Sequence, residues 1–325
     1  MPSACVKCGS PADRTSMVEV GLYKFSEVPM CGPCYSRYIP VYRKGKVEFR
    51  RRRIVNITPL KIVYMVEVRG AEKLVERLGK RLGGPIVKIS AVSIFITLFV
   101  TAFVLCATAI YALHPEMVHR ARDLWASLPT GYGLTIIPGI DPFLPLLQGW
   151  IALTIAVAVH ELGHGLAAAK LGYTIRSIGL IFVGPIPIGA GVDVDGGRPS
   201  DRVYGAGIVM NIMVALMALT LLLLLANPGI GNPVLLLIPP EISRLHGYEL
   251  ALGPITSILF YIWLVNIMLA LANAAPLLIT DGSYLLLSLL ERAGAQNPAR
   301  ITTIISCLVI TAALAAALVQ RIPWA

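Results

Sequence analysis

The chain has 325 residues, of which 56% are hydrophobic and only 14% are charged, and its mean hydropathy is +0.73. These values exclude an ordinary soluble globular protein and indicate a protein that resides in a membrane. The formal net charge of +10 comes almost wholly from residues 1–88, which hold 18 Lys and Arg against 7 Asp and Glu. We therefore expect a basic, water-facing N-terminal part that is followed by a membrane part.

Four cysteines near the N-terminus form two C-x-x-C pairs, Cys5 with Cys8 and Cys31 with Cys34. Two such knuckles can place four thiolates tetrahedrally around a zinc ion. The alternative is a pair of redox or disulfide motifs, which a reducing cytosol disfavours. The spacing predicts a zinc-ribbon-like domain over residues 1–40 that holds one structural zinc ion.

Residues 41–88 are predicted to form a basic cytoplasmic linker. Its basic run, residues 41–53, favours contact with anionic lipid or protein, and nucleic-acid binding is the less favoured alternative. Partial alternation in residues 54–69 predicts one or two strands. Residues 71–82 predict a short amphipathic helix on the membrane surface, which Gly83-Gly84-Pro85 breaks before the first span.

Residues 89–325 form the predicted membrane domain, an α-helical bundle of five to six transmembrane helices. A helix needs ~20 apolar residues to cross a bilayer, and five runs reach that length. With the N-terminus inside, 24 of the 28 Lys and Arg fall in the inside segments, as the positive-inside rule favours. We therefore expect an integral protein of the cell membrane with a cytoplasmic N-terminus. The five predicted spans are residues 89–113, 143–169, 203–226, 250–280 and 301–320.

The second predicted span contains HELGH, residues 160–164. His160 and His164 are spaced i, i+4, so both imidazoles can bind one metal ion from one face of a helix. Glu161 is rotated from that face by roughly 100° and can serve as a general base. The alternative is a pair of core histidines hydrogen-bonded to neighbouring helices. Three ionisable groups within an apolar span favour the metal.

A third ligand is expected from the protein, and Asp281 is the candidate because it ends the apolar run 250–280. Pro276 should end the helix before it. The alternative for Asp281 is an N-cap on a short helix over residues 282–291. The spacing alone leaves both roles open.

HELGH together with NAAPLLITDG, residues 273–282, resembles the site-2 protease family of intramembrane zinc metallopeptidases. That family pairs H-E-x-x-H with N-x-x-P-x-x-x-x-D-G, and a third element, G-P-x-x-N, often lies between them. The third element is present here as Gly207 to Asn211, with Ile208 in place of Pro. The resemblance covers residues 89–320 and leaves the ribbon outside. The fixed positions that match are His160, Glu161, His164, Asn273, Pro276, Asp281 and Gly282.

The resemblance implies that His160, His164 and Asp281 bind a catalytic zinc ion, that Glu161 is the base and that Asn273 holds the substrate carbonyl or the oxyanion. It implies a zinc endopeptidase that cleaves transmembrane segments of other membrane proteins, as in regulated intramembrane proteolysis, by attack of a zinc-bound water. Two alternatives stay open. One is another membrane-tethered H-E-x-x-H zinc peptidase, and the other is a non-catalytic metal carrier or scaffold, which would need no base.

The apolar segment 178–195 is too short to span and is rich in β-branched residues, Pro and Gly. It predicts either a re-entrant β-hairpin whose free edge pairs with an extended substrate or a buried loop that covers the site.

Overall fold

A computed structural model describes most of the chain and shows a mainly helical protein with a small strand region around the N-terminal cysteines. The chain divides into two compact units. One comprises Met1–Ile94, His160–Gly207 and Tyr284–Thr303, and the other comprises Phe95–Val159, Ile208–Ser283 and Ile304–Ala325. The described residues are 4–43, 45–51, 55–57, 63–68, 70–113, 138–139, 144–183, 186–195, 199–225 and 254–319.

The N-terminal strand region, residues 4–43 and 45–51, is called the four-cysteine module below. Two antiparallel hairpins and one short helix build it, and Val18, Val28 and Met30 form its core together with three of the cysteines. The basic run that starts at residue 41 is therefore largely the second hairpin. The elements are β1 (Arg14–Gly21), β2 (Lys24–Met30), α1 (Gly32–Arg37), β3 (Tyr38–Arg43) and β4 (Lys46–Arg51).

A four-stranded antiparallel sheet follows in the order β5-β6-β7-β8. It confirms that residues 54–69 contain two strands, although residues 58–62 lie outside the described part of the chain. The segment predicted as a hairpin or a loop is a hairpin, β7 with β8, and its depth in a membrane stays a prediction. The strands are β5 (Val55–Ile57), β6 (Val63–Glu67), β7 (Thr174–Val183) and β8 (Ile186–Asp195).

The predicted helix break at Gly83-Gly84-Pro85 is wrong. Helix α2 (Ala71–Ile89) runs through all three residues, and a single 3₁₀ turn, Ser90–Val92, joins it to α3 (Ser93–Leu113). The glycines allow close helix packing, because a Cβ on Gly83 would lie 2.5 Å from the carbonyl oxygen of Leu166. That close contact outweighs the local tendency of Gly and Pro to end a helix.

Four helical segments in the described part of the chain are long and apolar enough to cross a membrane: Ala71–Ile110, Leu146–Lys170, Asp201–Leu225 and Ile255–Ala274. Each overlaps one of the first four predicted spans, although the first segment begins 18 residues earlier than predicted, at Ala71. The fifth predicted span, residues 301–320, lies on the last helix, Pro298–Val319, and its crossing stays a prediction. The helices after α3 are α4 (Leu146–Lys170), α5 (Asp201–Leu225), α6 (Pro254–Ala274), α7 (Asp281–Arg292) and α8 (Pro298–Val319).

Two buried asparagines join three of these helices inside the second unit. The Asn211 amide on α5 donates to the carbonyl of Ala156 on α4 and to Oδ1 of Asn266 on α6, at 3.0 Å each. Asn266 Nδ2 in turn donates to Ile262 O at 2.8 Å. Both side chains are fully buried, so their mutual bonding satisfies polar atoms that water does not reach. The bonds hold α4, α5 and α6 in one arrangement.

Candidate metal centre

The two histidines of HELGH lie one turn apart on α4, as their spacing predicts. Their Nε2 atoms are 3.1 Å apart, and the ring planes are perpendicular. Two nitrogens bound to one tetrahedral zinc at the usual bond length lie ~3.3 Å apart. The imidazoles of His160 and His164 are thus already close to the separation that a shared metal ion requires.

A backbone carbonyl fixes the tautomer of His164. Its Nδ1 lies 2.7 Å from the carbonyl oxygen of Val203 on α5. A carbonyl only accepts, so Nδ1 carries the proton and Nε2 keeps its lone pair. Metal-binding histidines commonly make this second hydrogen bond, which orients the ring. The donor set therefore fits a metal ion at Nε2.

Gly207 on α5 provides the space that the two imidazoles occupy. A Cβ at this position would lie 2.7 Å from Cε1 of His160 and 2.7 Å from Nε2 of His164. Any side chain would displace the rings. Ile208 stands where the G-P-x-x-N element has proline. It is fully buried in a continuous helix, so its role is in packing.

Asp281 is the first residue of α7, and α6 ends at Ala274, ahead of Pro276 as expected. The intervening turn is tight. Thr280 Oγ1 donates to Ala275 O, and a Cβ on Gly282 would clash with the Ala274 carbonyl oxygen. The glycine of the Asp-Gly pair is therefore sterically required.

His160, His164 and Asp281 form one cluster, in which one ligand atom from each residue lies within 4.8 Å of the others. Two imidazole nitrogens and one carboxylate oxygen are ligands that zinc accepts, and a fourth position is left for a water or a substrate. The arrangement is consistent with a zinc site. It favours the ligand role of Asp281 over that of a simple helix cap.

The two other predicted catalytic residues are placed differently. Glu161 follows His160 on α4 and is partly buried. Asn273 is also partly buried, and its Nδ2 donates to the carbonyl of Leu269 one turn earlier at 3.1 Å. The roles of base and of oxyanion donor stay predictions.

The four N-terminal cysteines also form one cluster, with their sulfur atoms within 4.8 Å of one another and Cys8 Sγ 3.5 Å from Cys31 Sγ. Hydrogen bonding to Ser10 lowers the pKa of the Cys8 thiol to about 6, whereas burial raises the pKa of Cys34 to about 12. Four cysteine sulfurs at this spacing can bind one metal ion as thiolates. The cluster is consistent with a zinc ribbon.

Sequence reasoning missed two contributors. The Val203 carbonyl is a backbone group and leaves no side-chain signal in the sequence. Asn266 does leave one, because an asparagine in the middle of an apolar run usually bonds a partner helix.

Comparison with known proteins agrees with this geometry. The family described as Peptidase family M50 matches residues 148–317, which include every residue of the His–His–Asp cluster and none of the four-cysteine module. An uncharacterized protein of Methanocaldococcus jannaschii is 31% identical over 107 residues. That match covers 31% of this chain and 29% of the relative, so the chain spans under a third of the relative's length.

No solved structure matches the chain. The family match covers more than half of the 325 residues and carries the conclusion by itself. The chain belongs to peptidase family M50, the site-2 protease family of membrane metallopeptidases.

Proposed function

We propose that the chain is an intramembrane zinc endopeptidase that cleaves transmembrane segments of other membrane proteins. The observation that carries the proposal is the cluster of His160, His164 and Asp281, which lies on or directly after apolar helices. Ionisable groups in such helices are costly and usually functional. Glu161, beside the first ligand, is the residue that distinguishes a peptidase from a metal carrier.

A zinc ion held by His160, His164 and Asp281 would activate a water for attack at neutral pH and would polarise the scissile carbonyl. The Glu161 carboxylate takes a proton as general base and later returns it to the leaving amine. The Val203 carbonyl holds His164 in the required tautomer. The Asn273 amide donates one N–H to Leu269 O, and we expect its second N–H to donate to the oxyanion when substrate binds.

The substrate is proposed to bind as an extended strand. The carbonyls of a transmembrane helix are hydrogen-bonded and shielded, so the helix must unwind locally before attack. Among the described strands, β8 (Ile186–Asp195) lies at an edge of its sheet, with β7 on one side. An edge strand offers unpaired backbone N–H and C=O groups to an extended peptide. Local unwinding of the substrate helix would supply such an extended peptide.

The charge distribution supports the proposed orientation and domains. A cytoplasmic N-terminus places the basic residues 1–88 on the inner side of the membrane. The proposed order is a zinc domain at 1–40, a linker at 41–88 whose first residues continue the second hairpin of the four-cysteine module, and a membrane peptidase domain at 89–325 with five spans. Positive charge beside the membrane favours anionic lipid as the partner of the hairpin formed by β3 and β4, which contains most of the basic run 41–53.

The test is cleavage of single-span substrates in liposomes by the wild type and by Glu161→Gln, with zinc counted in both. We expect two zinc ions per chain in each protein and cleavage by the wild type alone. The matched control is Glu48→Gln, which makes the same change at an exposed position on β4. Equal cleavage by wild type and Glu161→Gln would contradict the assignment of the base.

A further inference from the structure

We propose that Tyr23, in the four-cysteine module, is a positioning residue for the catalytic metal centre, acting through its ring contact with Tyr284, which in turn stacks on Tyr204. The module lies outside the residues that the family matches, so the family assigns it no role. The inference rests on the proposed function for its activity readout only, because its metal-binding readout stands alone.

Tyr23 has an unusual backbone conformation. It lies in the two-residue turn between β1 and β2, where Gly21 pairs with Lys24, and its φ is +61°. Glycine and asparagine adopt this left-handed conformation readily, whereas an aromatic residue is strained there. Although the residue is at a hairpin tip, only 5% of it is exposed. The turn itself does not need a tyrosine, so we look for the role of Tyr23 in its ring.

The ring of Tyr23 begins a series of aromatic contacts among three tyrosines. Its centroid is 5.4 Å from that of Tyr284, with the planes at 89°, an edge-to-face pair. Tyr284 stacks on Tyr204 at 4.6 Å, with the planes 4° apart. Both geometries are favourable for aromatic rings. The hairpin tip of the four-cysteine module is thereby joined to α7 and α5.

These two helices carry groups that belong to the candidate metal centre or orient it. Tyr284 lies on α7 three residues after Asp281, within one helical turn. Tyr204 on α5 directly follows Val203, whose carbonyl accepts the His164 Nδ1 hydrogen bond. The aromatic contacts therefore reach the segment of the carboxylate ligand and the segment that orients one imidazole.

A buried arginine on the β7–β8 hairpin anchors the module to that hairpin. The Arg176 side chain is 4% exposed. It donates to Ser16 Oγ at 2.7 Å and to Tyr38 O at 2.8 Å, and it packs over the Tyr35 ring at 4.6 Å. All three partners belong to the four-cysteine module. A buried guanidinium with several partners holds two elements in one geometry.

The consequence is a dependence of the catalytic metal on a residue far from it in sequence. Removing the Tyr23 ring takes away an edge-to-face contact of Tyr284, so α7 and α5 are less firmly held where they carry Asp281 and Val203. Groups that orient metal ligands affect metal affinity and activity by ~10–100-fold, and an indirect contact should act at the lower end.

The test compares Tyr23→Gly with Tyr23→Phe in the full-length protein. Glycine suits the positive φ, so this variant removes the ring while relieving strain in the turn. Phenylalanine keeps the ring contacts. Tyr42→Ala, at an exposed tyrosine on β3, is the control for loss of an aromatic ring in the same module.

The metal readout uses cobalt in place of zinc. Cobalt bound to the four cysteines gives thiolate charge-transfer absorption, whereas cobalt at the His–His–Asp site does not, because that site has no sulfur ligand. A chelator is then added. Loss of the charge-transfer band reports metal loss from the four-cysteine site, and total cobalt lost beyond that amount reports the His–His–Asp site. For Tyr23→Gly we expect an unchanged thiolate signal, about tenfold faster loss of the other metal, and about tenfold lower kcat with little change in KM. Tyr23→Phe and Tyr42→Ala should match the wild type.

Two results would overturn the inference. One is wild-type metal retention by Tyr23→Gly, and the other is faster cleavage, which would make the hairpin tip a cover over the site. Tyr284→Leu removes the same contact from outside the module, together with the stacking on Tyr204, and should lose the metal at least as fast as Tyr23→Gly. If the wild type cleaves no substrate, the proposed function fails, but the metal-release comparison still decides the role of Tyr23.

Discussion

Replacing Gly207 with alanine should disable the metal centre without unfolding the protein. The new Cβ would lie 2.7 Å from both imidazoles, and ordinary contacts begin at 3.4 Å, so the rings must retreat by about 0.7 Å. Metal–ligand distances tolerate deviations of only ~0.2 Å. We expect zinc affinity at this site to fall by ~10–100-fold and the cleavage rate by ~100-fold.

Alanine has a higher helix propensity than glycine by ~1 kcal/mol. The free energy of unfolding should therefore not fall in proportion to the loss of zinc affinity. The control is Gly84→Ala on α2, where the added Cβ meets only Lys170 Cε at 3.6 Å. The assay counts zinc per chain after dialysis against a graded series of chelator concentrations and follows substrate cleavage in the same samples. Wild-type zinc affinity in Gly207→Ala would contradict this prediction, because it would mean that the imidazoles can move away from the added Cβ without losing the metal.

Asp281→Asn should lower the zinc content from two ions to one per chain while the ion at the four cysteines stays, as elemental analysis would show; two retained ions would remove Asp281 from the ligand set. Asn266→Leu should destabilise the helical unit by ~1–3 kcal/mol in a denaturation titration, because the buried Asn211 amide loses an acceptor, and adding Asn211→Leu should recover part of the loss. Gly83→Ala should cost ~1–3 kcal/mol, since its Cβ meets Leu166 O at 2.5 Å; wild-type stability would show that α2 can shift freely.

The His–His–Asp cluster was predictable because most of its signal is local. The i, i+4 spacing places His160 and His164 on the same face of any helix. Ionisable side chains in an apolar span are costly and are therefore usually functional. Pro276 likewise marks the end of α6. The family motif then linked Asp281 to the histidines across more than 110 residues, which spacing alone did not do.

One prediction failed and two contacts went unpredicted, in each case because tertiary contacts decide the outcome. Gly83-Gly84-Pro85 reads as a helix break, yet the helix persists because Gly83 lies against α4 and cannot carry a side chain. The pairing of β6 with β7 joins segments more than 100 residues apart, and no pattern within either strand specifies that partner. The Tyr23–Tyr284 contact is hidden for the same reason.

The central claim is that His160, His164 and Asp281 together bind zinc. Anomalous diffraction at the zinc edge from crystals of Glu161→Gln tests it most directly, since this variant should keep the metal and spare substrate. We expect two peaks, one between the four cysteine sulfurs and one at ~2.0–2.2 Å from both Nε2 atoms and the Asp281 carboxylate. A single peak at the cysteines, from crystals grown with zinc in excess, would contradict it.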